Sequence, residues 1–368
     1  MSRHMPNKPK SPFLPKVKYW FTHHKKLAII LGVLFVLILA GATATAFYFL
    51  NQKPEVAVTT KPETKPAPAP EAPKFYSPLS GNLVADEAAT HQATTGIMME
   101  NSPDARPQSG LKDSGVVFEA IAEGGITRFL VLYQEQKPQL IGPVRSVRQY
   151  YVDWVAGFNA SVAHVGGSAA ALKEVRNGNY RDIDQFFNAS TYWRATDRYA
   201  PHNVYTSFAK IDALNAKKGF TSSQFTGFTR KDSVGTTPTA SSVDVKISGP
   251  LFNSHYNYNA ATNTYDRSQA GKPHLDRESG QISPRVVVVM KVNQVKVLED
   301  GYREQIQAIG SGAATIFQDG TVQEVTWKKA SKTAQITFTN AAGVDVPLAR
   351  GQTWLTAIPN GSGSVTWQ

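Results

Sequence analysis

The 368-residue chain contains no cysteine. That absence excludes disulfides, a thiolate nucleophile, a zinc ribbon, an iron–sulfur cluster and lipid attachment through a cysteine of this chain. Histidine is scarce as well, with eight residues. His164, His202, His255 and His274 fall in neither HxH nor HExxH spacing, and no Asp-rich twelve-residue loop suits calcium, so no metal and no cofactor is expected. Acidic residues are missing altogether before residue 27, where seven lysines and arginines stand alone. The net charge of +11 therefore divides into +7 at the N-terminus and +4 over everything else. A nucleic-acid partner is not expected from so localised an excess.

What is present first is a long apolar run. Leu27 to Leu50 holds no charged residue, and 24 residues at 1.5 Å rise match a hydrocarbon core about 30 Å thick. The basic cluster before it, with Tyr19, Trp20, Phe21 and Tyr48 near the two interfaces, predicts a single-pass helix. Its N-terminus is expected in the cytoplasm and the remainder outside the cell membrane. The competing reading is a cleaved signal peptide, because small residues recur at Ala42-Thr43-Ala44 and Ala44-Thr45-Ala46. Both readings export the bulk of the chain. Segment 51–75 alternates lysine, proline and acid, which favours an extended polyproline stalk that buries no core.

Length and composition leave room for two folded units, since 41% of residues are hydrophobic and 10% aromatic. Between residues 76 and 230, short apolar runs alternate with helical patterns at Val147 to Phe158, Ser168 to Asn177 and Ser207 to Lys218, predicting an α/β domain. From 231 to 368 the texture turns to Ser, Thr and Gly with strand signals, predicting a mostly β domain. Arg285 to Val297 reads as one long strand, and Asp319-Gly320 as a hairpin turn. The organisation expected is thus a basic cytoplasmic segment 1–26, a transmembrane helix 27–50, the stalk and these two domains.

Read in order, MMENSPDARPQSGL, VFEAIAEGGITRFLVLY, IGPVRSVRQYYVD, AHVGGS and APHNVYT resemble the signatures of the YerB-like family of bacterial cell-envelope proteins. YNYNAATNTYDRSQAGKPHLDRESGQ, GSGAATIFQDGTVQEVTW and RGQTWLTAIP are similar to the same family's second module. The resemblance implies a membrane-attached, extracytoplasmic protein of two parts and unknown function. Many members look like lipoproteins with a lipidated cysteine; a chain without cysteine departs from that pattern.

Several residues are placed to carry chemistry. Glu123-Gly124-Gly125 precedes the strand led by Thr127 and Arg128, and the glycine pair suggests a bulge. Arg145 and Arg148 open a predicted helix three positions apart, where guanidinium groups facing one side ask for an anion. Bridging to Glu119, Glu123 or Asp153 is the structural alternative. His164 ends a strand before Gly166-Gly167-Ser168, a turn whose amides could cradle an anion; the bland reading of Ser168 is an N-cap. Arg198, His202 and Asn203 lie on a polar loop, and Glu100 closes another strand beside Arg106 to Gly110. Tyr256, Tyr258 and Tyr265 fit either a sugar-stacking surface or cross-strand pairs.

Three functions follow as expectations. The first is an envelope protein binding an anionic or carbohydrate-bearing ligand through Glu123, Arg128, Arg145, Arg148, His164, Ser168, Arg198, His202 and Asn203. The second is a hydrolase or transferase of a cell-wall polymer, with His202 or Glu123 as acid/base. The third is a scaffold for an envelope protein partner in wall synthesis.

Overall fold

A computed structural model describes residues 19–20, 22–52, 73–296 and 301–368. Residues 1–18 of the basic segment and 53–72 of the stalk lie outside the described residues. Two compact units result, Met1–Glu71 and Ala72–Gln368.

In the first unit, helix α1 (Lys25–Asn51) brackets the apolar run, and none of its residues is buried in protein. Its 27 residues, at 1.5 Å each, span about 40 Å, enough to cross a hydrocarbon layer. A soluble helix this apolar would hide at least one face; the exposure of every side chain leaves lipid as its natural solvent.

The second unit is built on one ten-stranded sheet. Its strands from the first half of the chain are β1 (Thr95–Glu100), β2 (Val116–Glu123), β3 (Ile126–Tyr133), β4 (Ser161–His164) and β5 (Arg181–Asp184). A smaller sheet uses β6 (Ser242–Lys246), β7 (Ser254–Asn259) and β8 (Thr264–Gln269). Back in the large sheet come β9 (Val286–Val292), β10 (Gly310–Gln318), β11 (Thr321–Lys329), β12 (Thr337–Thr339) and β13 (Thr353–Pro359), and β14 (Ser364–Trp367) ends the small one. The order across the large sheet is β12-β11-β10-β9-β13-β2-β3-β1-β4-β5. Its seam is the parallel pairing of β13 with β2, Thr353 opposite Val116 through Thr356 opposite Glu119. The α/β and β segments therefore share a single backbone ladder.

Strands β2 and β3 are apolar on both faces because both faces are covered. Met98, Phe118, Leu130 and Val288 face α2 (Gln149–Ala156) and α3 (Ala169–Val175), through Tyr150, Trp154 and Ala171. Phe118 stacks on Trp154 at 5.1 Å and 14°. On the other side, Val117, Phe129, Val131 and Trp354 pack under α4 (Phe208–Lys217), while Val287, Val289 and Phe317 meet Tyr256 and Tyr265 of the small sheet. The three predicted helices are present, each a residue or two shorter at its ends.

Local chemistry sets the connections. The β10–β11 hairpin turns through Asp319 (φ 54°) and Gly320 (φ 71°), the left-handed pair a two-residue turn demands. The β2–β3 hairpin carries the anticipated bulge between Ile121 and Glu123. Gly227 is a close approach: a Cβ there would lie 1.8 Å from the Pro78 carbonyl oxygen. The predicted long strand from Arg285 to Val297 breaks instead at Asn293, where β9 leaves the large sheet and Gln294–Lys296 starts a separate two-stranded ribbon. Tyr256 and Tyr265 are fully buried, so cross-strand packing rather than a stacking surface is their role.

Candidate functional site

The nine expected site residues divide into four groups. Arg128 lies opposite Glu100 on β1 and opposite Ala120 on β2, deep in the sheet. Its guanidinium donates to Glu123 Oε1 at 2.6 Å and to the Ser146 carbonyl at 2.8 Å. Arg148, at the N-cap of α2, reaches the other Glu123 oxygen and the Val147 carbonyl. Glu123 is thus clamped by two buried arginines. Burial alone would raise its pKa; the Arg128 and Arg148 charges and hydrogen bonds outweigh that and hold it below the usual carboxylate range. Arg145 precedes the helix, so the expected Arg145/Arg148 pair on one face is not formed.

His164 is fully buried, with Nδ1 at 2.8 Å from the Gly166 carbonyl and Nε2 at 3.0 Å from Asp182 Oδ1. The expected anion cradle is filled from within. Gly166 N–H donates to Asp184 Oδ1 at 3.2 Å, Arg176 pairs with Asp184 Oδ2 at 2.5 Å, and Ser168 N–H donates to the Val147 carbonyl at 3.2 Å. Ser168 occupies the N-cap of α3 without a side-chain bond. The protein's own carboxylate takes the place a ligand anion would have held.

Arg198 donates to the Asp104 and Pro107 carbonyls, and Asn203 to those of Ala195 and Arg198. Asn203 Oδ1 accepts from Arg194 at 2.7 Å. These bonds hold the 194–203 loop against the 104–107 loop. The result is to place His202 at the C-terminal end of β1.

There the fourth group assembles. Glu100 is 4% exposed, and its Oε1 accepts from Ser102 Oγ at 3.0 Å and lies 2.9 Å from His202 Nδ1. Arg145 Nε stands 3.4 Å from the same oxygen, an ion-pair contact outside hydrogen-bond geometry. Glu100 Oε2 is buried and has no hydrogen-bond partner among the described residues. Ser102 Oγ also lies 3.2 Å from His202 Nδ1. Since serine and carboxylate meet the same ring nitrogen, this is not a serine–histidine–acid relay, which needs one partner on each nitrogen. His202 Nε2 has no hydrogen-bond partner among the described residues, and the exposed Asp104 carboxylate lies 4.0 Å from it. The Arg145 terminal amino groups bond nothing among the described residues. Three aromatics flank this edge. Tyr199 is 92% exposed and its carbonyl accepts from His202 N–H; Phe186 and Phe187 are 67% and 70% exposed, Phe186 lying against Gly166. No group of three or more His, Asp or Glu able to hold a metal occurs among the described residues.

Beneath the site runs a buried polar network that composition and spacing did not reveal. Glu119 accepts from Thr127 Oγ1 at 3.2 Å, Arg267 Nη2 at 2.9 Å and Trp354 Nε1 at 3.0 Å. Arg267 continues to His274 Nδ1, His274 Nε2 to Gln108 at 3.0 Å, Gln108 to Asn101 at 3.0 Å, and Asn101 back to Thr127 at 2.6 Å. Arginine can only donate, so His274 accepts at Nδ1 and donates from Nε2 as the neutral ring. Burial, then the Arg267 and Arg106 charges, hold its pKa well below 6.5. The available signal was parity: Arg267 falls on the inward face of β8 with Tyr265 and Gln269.

The seam between the two segments, and this ring of residues drawn from both, match an architecture already known. The family model described as the N-terminal domain of a protein of unknown function (DUF3048) matches residues 79–221, and its C-terminal domain model matches 243–355. The chain belongs to the DUF3048 family. It is 32% identical over 304 residues to "Putative lipoprotein YerB" of Bacillus subtilis (strain 168), covering 81% of this chain and 90% of that one. The crystal structure of YerB protein from the same organism superposes with a TM-score of 0.71 at 31% identity, covering 80% of this chain and 100% of that chain. The YerB-like resemblance seen in the motifs is thereby established. Like its relative's name, the apolar helix α1 points to membrane association, although this DUF3048 chain has no cysteine to lipidate.

Proposed function

We propose that this protein is an envelope receptor whose extracytoplasmic unit binds a phosphate- or carboxylate-bearing cell-wall ligand at Arg145 and His202. One observation carries the reading: buried Glu100 holds both side chains through Oε1, leaving the Arg145 terminal amino groups and His202 Nε2 without a hydrogen-bond partner among the described residues. A guanidinium fork so held matches the planar geometry of a carboxylate or phosphate. Exposed Tyr199, whose carbonyl accepts from His202 N–H, supplies a face for a sugar ring along the same ligand. In this reading α1 is a single-pass anchor, with the lysine-rich N-terminus in the cytoplasm and the folded unit outside.

The site favours binding over the hydrolase alternative. Glu123, the expected acid/base, is saturated by two arginines, and Ser102 shares His202 Nδ1 with Glu100, with no acid hydrogen-bonded to Nε2 among the described residues. Because α1 contributes nothing to any core, residues 73–368 can be tested alone. They should bind a phosphate-bearing wall polymer in a salt-sensitive manner. Arg145→Ala should weaken binding about tenfold or more, the loss of a charge-assisted hydrogen bond. Equal binding by Arg145→Ala and wild type defeats the reading, and crosslinking to wall-synthesis proteins independent of Arg145 would favour a scaffold.

A further inference from the structure

A recess lies beside the 194–203 loop, lined by neither Arg145 nor His202. Residues Trp193–Arg194 pair antiparallel with Val204–Tyr205, Trp193 directly opposite Tyr205, so both rings project to one face. They line a groove of about 400 Å3, whose rim carries Asp197 and Arg277. Arg277 Nη2 donates to Asp197 Oδ2 at 2.5 Å, and both side chains are more than a third exposed. Trp193 is half-buried, presenting part of its indole to the groove.

Tyr205 is the informative residue. It is 1% exposed, and its hydroxyl oxygen faces the Arg277 guanidinium, which can only donate, so the O–H proton has no acceptor among the described residues. A buried tyrosine ordinarily places its O–H on an acceptor. Here the bond is left to whatever enters the groove. The recess thus offers an indole, an unsatisfied phenol, a carboxylate that accepts and a guanidinium that donates. That combination suits a sugar ring, whose C–H face packs on an aromatic while its hydroxyls both donate and accept. The volume falls within the range of small-ligand sites, large enough for one or two rings.

We infer that the Trp193–Tyr205 groove is a glycan subsite, taking an uncharged sugar ring stacked on Trp193 and hydrogen-bonded to Tyr205, Asp197 and Arg277. The inference does not rest on the Arg145 reading, since the two sites share no side chain. Chitotetraose, a neutral amino-sugar oligomer, is the probe, titrated calorimetrically into residues 73–368. Trp193→Ala should weaken binding about tenfold, and Tyr205→Phe about three- to tenfold. Tyr205→Phe keeps the buried ring and removes only a hydroxyl whose proton lacks an acceptor, so its melting temperature should stay close to wild type and separate ligand loss from misfolding. Arg145→Ala should leave chitotetraose affinity unchanged while weakening polymer binding at its own site. Absence of wild-type binding at millimolar sugar, or unchanged affinity in either groove variant, overturns the inference.

Discussion

Glu119→Gln tests whether the two sequence segments fold as one body. Glu119 and Arg267 are both 0% exposed and 2.9 Å apart, and come from the two sequence segments: Glu119 from β2 of the large sheet, at the seam, and Arg267 from β8 of the small one. Glutamine keeps the shape but removes the charge, leaving Arg267 among neutral acceptors only: the Tyr256 hydroxyl, Gln269 Oε1 and His274 Nδ1. Breaking a buried pair by removing one partner costs about 3–5 kcal/mol. For a unit of about 300 residues, an unfolding entropy of about 0.6 kcal/mol per kelvin converts this to a fall of about 5–8 °C in melting temperature. Calorimetry on residues 73–368 would measure it, and a single transition is expected. The companion change Arg267→Met, made in the Glu119→Gln background, removes the stranded cation and should recover most of the loss. A fall below about 2 °C, a double variant no better than the single one, or two separate transitions would each refute the reasoning.

Further expectations follow from the other groups. Glu123→Ala strands two buried arginines and should cost about 3–5 kcal/mol in urea unfolding, while the folded fraction binds wall polymer as wild type does. His274 is held neutral in the fold and takes a proton when unfolded below pH 6.5. Stability should therefore be flat above pH 6.5 and fall by about 1.4 kcal/mol per pH unit just below it, a slope that His274→Gln removes in denaturation series run from pH 7.5 to 5.5. Glu123 is depressed instead, so its contribution is present above its ordinary value of 4.5 and is lost as pH falls through its lowered value, in a separate, more acidic window. Residues 73–368 should stay in the aqueous phase of a detergent partition and the full chain should enter the detergent phase, because α1 buries nothing against protein.

Much of the local structure could be read from residue order. Helices α2, α3 and α4 follow from apolar periodicity behind Arg148, Ser168 and Ser207, and the Asp319-Gly320 turn from its backbone preference. The site was harder. Arg128, Arg145 and Arg148 look alike in sequence, and nothing in their spacing says that Glu123 neutralises two of them while Glu100 holds the third. Gly166-Gly167-Ser168 has the composition of an anion cradle, yet a carboxylate 16 residues beyond Ser168, Asp184, fills it from the adjoining strand.

The long apolar helix, the absence of thiol chemistry and the element types were decided by the sequence itself, because each depends on composition or on periods of two to four residues. The pairing of β13 with β2, the burial of Arg267 and Glu119, and the meeting of Arg145 and His202 on Glu100 were decided only in three dimensions. A charge is worth what its partners and solvent make it. Two partners of Glu119 stand 148 and 235 residues away, beyond the reach of any local pattern.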